Sequence, residues 1–222
     1  MASDDTTATE YSSSRTPRTL LILAAVVVTV LVVTVCVMAL RAPATAAESW
    51  TASPGKRTAA SMSLSPCAPP PEHSGAELVG EQRGLATLSV RTDENSDTLA
   101  CLATQIDDEW TAITVTTPYD AAATIPADGA MVRSDALLQT DPTSVDAPET
   151  PSQHVVAGEV GDLVTAVTLQ TAAGDTEATV SGGWFAAWWP TKDEYELDHP
   201  VTAVLTLTDG STRTTEMTVP HQ

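Results

Sequence analysis

Apolar positions fall along the chain in two textures. From Leu20 to Leu40 the run LLILAAVVVTVLVVTVCVMAL carries no charge, and only Thr29, Thr34 and Cys36 are mildly polar. As a helix rising about 1.5 Å per residue it spans roughly 31 Å, which matches a hydrocarbon core of about 30 Å. It predicts one transmembrane helix over 20–40. A cleaved signal peptide is the alternative: its apolar core is shorter, about 7–15 residues, but Ala44-Thr45-Ala46 offers a small-residue cleavage site. Arg15 and Arg18 precede the block, which favours a cytoplasmic N-terminus and an extracytoplasmic C-terminal portion. Residues 1–19 are Ser/Thr-rich, have no hydrophobic period and read as a disordered cytoplasmic tail.

Beyond the block the texture becomes short and alternating. Residues 41–74 carry Pro43, Pro54, Pro66, Pro69, Pro70 and Pro71 among Ala, Ser and Thr, and read as a stalk. From 75 to 222 the pattern predicts a β-rich extracytoplasmic domain. LATLSVR (85–91) and TLACLAT (98–104) flank a polar stretch as a hairpin does, and WTAITVT (110–116) follows. A Pro- and Asp-rich stretch over 117–153 reads as loops with at most one short element near 129–139. Residues 164–180 and 201–219 look like two copies of one hairpin, each opening with VTAV. Val201, Ala203, Leu205 and Leu207 alternate with Thr202 and Thr206, which is the period of a half-buried strand. Asp209-Gly210 suits a tight turn. The expected fold is mainly β: an antiparallel β-sandwich or curled meander of about eight strands, preceded by one transmembrane α-helix.

Charge narrows the partners. Ten Lys and Arg against 29 Asp and Glu give a formal charge of −19. Phosphate neutralisation needs clustered Lys or Arg, so nucleic acid is excluded as a partner. The membrane is the expected integral partner, with an envelope polymer or protein as the expected external one.

Cys67 and Cys101 are the only cysteines outside the apolar block. Outside the cytoplasm two such cysteines pair, and a Cys67–Cys101 disulfide is expected; two separate thiols are the alternative. Signatures of catalysis are missing from the sequence: there is no nucleophile elbow, phosphate-cradling loop, dinucleotide fingerprint or His-Glu-x-x-His. The four His, at 73, 154, 199 and 221, are scattered, and no metal or cofactor is expected. Asp107-Asp108-Glu109 and Asp193, Glu194, Glu196, Asp198 read as solvated acidic loops without calcium-loop spacing.

The most distinctive stretch is GWFAAWWPTKDEYELDHP. Trp184, Phe185, Trp188, Trp189 and Tyr195 hold five of the chain's nine aromatic residues. On a strand, Trp184 and Trp188 point one way and Phe185 and Trp189 the other. One pair is expected to fill the core of a sheet otherwise made of Val, Ala and Thr. The other pair, with Tyr195, is the candidate aromatic binding patch.

The run GEVGDLVTAVTLQTAAGDTEATVSGGWFAAWWP, with Cys101-Leu102 upstream, resembles a pattern in uncharacterised actinobacterial membrane-anchored proteins carrying a Trp-Phe-x-Ala-Trp-Trp-Pro motif. The resemblance implies a single-pass envelope protein with a β-rich ectodomain, and it carries no catalytic residues with it. The expected function is a non-enzymatic binding, sensor or accessory domain at the cell membrane. The alternatives are an envelope hydrolase built on a carboxylate pair, or a cleaved secreted protein.

Overall fold

The computed structural model describes residues 46–57, 67, 76–93, 95–106, 109–118, 123–138, 152–191 and 200–217, all within the second of the chain's two units, Pro43–Gln222. The expected tail (1–19) and membrane helix (20–40) lie outside the described residues.

The described part is antiparallel β. Its strands are β1 (Glu77–Arg83), β2 (Ala86–Thr92), β3 (Thr98–Ile106), β4 (Glu109–Thr117), β5 (Ala130–Leu138), β6 (Ser152–Val160), β7 (Val164–Thr171), β8 (Gly174–Ser181), β9 (Trp184–Thr191), β10 (Val201–Leu207) and β11 (Thr212–Met217). The first four form a meander, β1-β2-β3-β4. The other seven form a sheet ordered β11-β10-β7-β8-β9-β6-β5. The expected hairpins are present as β2–β3, β7–β8 and β10–β11. Gly210 takes the positive φ that its turn needs.

The larger sheet curls. Val156, Phe185, Ala187 and Trp189 from β6 and β9 share one apolar cluster with Val167 and Leu169 from β7, Ala203 and Leu205 from β10 and Met217 from β11. Strands four or five places apart in the sheet share a core only if the sheet rolls up. Its two edges are tied by the Arg213–Asp128 ion pair, 2.6 Å, between β11 and the turn before β5. The result is a half-barrel, and the meander packs on its outer face. Val79, Leu88, Val90 and Leu102 of the meander meet Val155, Ala157, Trp184 and Trp188 in a second cluster between the sheets. Gly158 of β6 is fixed by close approach: a Cβ there would lie 2.0 Å from the Met131 carbonyl oxygen and 2.7 Å from the Phe185 ring.

Two features differ from the sequence reading. Strands β1 and β6 were not expected. Residues 46–57, expected as stalk, are packed into the domain. Ala46 is buried, Gly55 bridges Gln82 of β1, and half-buried Trp50 touches both clusters. The reason is a gap in the larger sheet. Strand β8 pairs with β9 only from Thr179 to Ser181 and then splays away. Segment 50–52 fills the opening: the Glu177 amide donates to the Ala52 carbonyl on the β8 side, and Trp50 Nε1 donates to the Trp188 carbonyl, 2.8 Å, on the β9 side. Sheet edges left open carry unmet backbone groups, and this insertion satisfies them.

Cys67 is joined to Cys101 on the outer face of the meander, packed with Ala103 and half-buried Trp110 and Ala112. Arg91, buried beside it, donates to the Cys67 carbonyl and to Ser89 Oγ. Burial pulls the Arg91 guanidinium below its ordinary value, with Glu77 opposing and Arg57 adding to the shift. The bridge closes a loop with a sequence separation of 34 residues. Reducing it is expected to cost about 2–4 kcal/mol of stability. Urea unfolding with and without reductant checks this; unchanged midpoints would refute it.

Candidate functional site

Both faces of β9 are committed to packing. Trp184 and Trp188 point between the two sheets, and Phe185 and Trp189 point into the half-barrel. All four are buried, the most exposed being Trp184 at 8%. The expectation of a second pair exposed as a binding patch is therefore corrected. β9 lies inside a sheet that is covered on one side by the meander and on the other by its own curled strands. Tyr195, the fifth aromatic of that patch, lies outside the described residues, as do the acidic residues 193–198.

A different site emerges at the mouth of the half-barrel. A cavity of about 120 Å³ is lined by His154 of β6, Trp189 of β9, Gln170 and Thr171 at the end of β7, Ala172 in the following turn, and Pro200 and Val201 at the start of β10. The His154 and Trp189 rings stack at 4.4 Å between centroids, tilted by 42°. His154 Nε2 is hydrogen-bonded to Asp135 of β5, and both side chains are buried. This bond orients the imidazole, so one wall of the cavity is aromatic and rigid. Thr171 Oγ1 is used within its own turn, donating to the Gly174 carbonyl at 2.8 Å and accepting from the Ala173 amide. Gln170 is exposed at the rim.

Elsewhere among the described residues, Glu81 and Glu159 are paired with arginines. Glu81 and Arg83, both fully buried on the core face of β1, form a two-pronged pair at 2.8 and 3.0 Å. Burial pushes the Glu81 carboxyl above its ordinary value, and hydrogen bonds from Arg83 and Thr179 pull part of that back. Arg133 pairs with Glu159 beside a bulge in the edge strand β5. The Arg133–Glu159 pair joins β5 to β6, and the Glu81–Arg83 pair, both on β1, reaches β8 through Thr179 and the Glu177 carbonyl. Among the described residues no three His, Cys, Asp or Glu side chains gather as a metal site would require.

The sequence did not single out the cavity. His154 reads there as one scattered histidine, and its partner Asp135 falls in a stretch read mainly as loop. Only the pairing of β5 with β6, Leu137 opposite His154 and Ala136 opposite Val155, brings the two together. Comparison with known proteins finds no matching family model, no matching curated protein and no matching solved structure.

Proposed function

We propose that the chain is a single-pass membrane-anchored envelope protein whose β-rich part lies outside the cytoplasm and works as a non-enzymatic binding or sensor domain. The observation that carries the binding role is the cavity at the half-barrel mouth, a concave site with a rigid aromatic wall and a polar rim. The compartment is supported by the Cys67–Cys101 disulfide, since such bridges persist in oxidising surroundings. The anchor rests on the charge-free block over 20–40. Of the residues expected as stalk, 46–57 pack against the domain. Protease added to intact, wall-stripped cells should release a fragment of about 18 kDa, the 182 residues after the block at roughly 0.1 kDa each. Full protection of the C-terminus would overturn the orientation.

A further inference from the structure

We propose that β4 is a docking edge for a second copy of this chain, the two β4 strands pairing antiparallel about a twofold axis at Thr114. The pairing depends on neither the binding role nor the membrane anchor proposed above.

A strand at the edge of a sheet offers unpaired backbone N–H and C=O groups, and proteins block such edges with charge, a bulge, short length or a covering segment. The edge strands here are β1 and β4 in the meander and β11 and β5 in the larger sheet. Along β1, Gly55 bridges Gln82, and Arg57 pairs with Glu77. In β5 a bulge falls between Val132 and Ser134, at Arg133. Strand β11 is six residues long, carries exposed Arg213 and Glu216, and is tied to the turn before β5. Strand β4 has none of these devices. It is nine residues long, pairs with β3 without a register shift, and contains neither Pro nor a basic residue. Its one charge is Glu109, its first residue. The stretch 111–117, TAITVTT, has none and is rich in the β-branched residues that sheets favour.

The side chains along this edge are open as well. Ile113 continues the row of Leu88 and Leu102, and Val115 continues the row of Val90 and Ala100. Those four are buried between the sheets, whereas Ile113 and Val115 are only half-buried. Thr111, Thr114 and Thr116 are exposed. The apolar layer therefore reaches the edge with its last row partly wet, and a strand laid against β4 would cover it.

Two features select a second copy as the occupant. The edge complements itself: with the axis at Thr114, Ile113 of each copy lies opposite Val115 of the other, so the apolar row continues across the pair, and on the outer face Ala112 meets Thr116. Charge makes the second argument. Two chains of −19 repel, and 111–117 is an uncharged stretch along which their backbones can meet, with Glu109 beyond the overlap. Pairing β4 with itself uses both edges at once, so the assembly closes at two.

The test uses the full-length chain in detergent micelles on a Cys36→Ser background, with the Cys67–Cys101 bridge kept. A Thr114→Cys chain is expected to form a covalent dimer on mild oxidation. Residues facing each other across an antiparallel pair lie about 4.5–5.5 Å apart between Cα atoms, within disulfide reach. Thr214→Cys, also exposed but on the charged strand β11, should form little. Thr114→Lys and Thr114→Glu, each alone, set like charges opposite one another and should weaken dimerisation about tenfold or more by sedimentation equilibrium. Mixing the Lys and Glu chains should restore it. Thr114 is exposed, and urea midpoints close to the parent's show that each variant is folded. A parent that sediments as a monomer overturns the proposal and leaves the edge to a different chain. Thr114→Cys linking no faster than Thr214→Cys overturns it too, as does a dimer that Thr114→Lys leaves intact.

Discussion

Replacing Arg83 with Met is expected to cost about 3–5 kcal/mol of folding stability, because it strands a buried carboxylate. Arg83 is fully buried, and every one of its N–H groups has an acceptor. Nε and Nη2 hold the two oxygens of Glu81; Nη1 donates to the carbonyls of Thr51, 2.8 Å, and Ala52, 2.6 Å; and Nη2 also reaches the Glu177 carbonyl. One side chain thus links the meander, the inserted segment 50–52 and the splayed end of β8. Met keeps much of the apolar stem but releases all three.

The loss should depend on pH with a defined sign. The folded state binds the Glu81 proton more tightly than the unfolded chain does, since burial raises this carboxyl above 4.5. Its contribution is therefore full below 4.5 and is lost as pH climbs through the raised value. Without Arg83 the charged form loses its main compensation and the value rises further. The variant should be hurt most near neutrality and should recover part of its stability in acid. Adding Glu81→Gln removes the stranded charge and should restore part of the loss at neutral pH. Urea midpoints for the parent, the single and the double variant, at about pH 5 and about pH 8, decide this. A loss below about 1 kcal/mol, or one that ignores pH, would mean that the guanidinium is not the link described.

This clamp also shows why part of the fold was illegible in the sequence. Strands such as β10 were legible because one face is buried and the other is not: Val201, Ala203 and Leu205 are buried, while Thr202, Val204 and Thr206 are only partly so. Strand β1 breaks that code. Its core-facing positions are Val79, Glu81 and Arg83, so two of three inward residues are charged. Such a strand reads as polar loop until its partners are known. Strand β6 fails for the opposite reason: Gln153 through Gly158 are all buried, so no alternation survives. Segment 46–57 has no period at all, and its contacts, among them the Trp50 ring, the Gly55–Gln82 bridge, the Glu177–Ala52 hydrogen bond and the Arg83 contacts, leave no pattern in the sequence. The cavity was illegible because its lining comes from four strands whose neighbours are set by the curl of the sheet and not by their order in sequence.

In strand β9 the alternation was legible but its consequence was not, and that strand carries the last prediction. Alternation placed Trp184 and Trp188 opposite Phe185 and Trp189, and the structure keeps that alternation. What it adds is a second core, so neither face is spare. Trp188→Ala is expected to cost about 3–5 kcal/mol, and so is Trp189→Ala. The two losses differ in origin. The Trp188 indole N–H has no hydrogen-bond partner among the described residues, so that variant loses packing between the sheets and little else from the side chain. The Trp188 carbonyl keeps its bond from Trp50. Trp189 covers the His154 ring, so its removal also opens the buried His154–Asp135 pair to water entering from the cavity. Each loss is a large part of a typical stability of about 5–15 kcal/mol, so both variants should unfold at markedly lower denaturant than the parent. Had one face of β9 been a surface patch, one of the two would melt like the parent. That outcome in urea or thermal unfolding would remove the second core, and with it the half-barrel that forms the cavity.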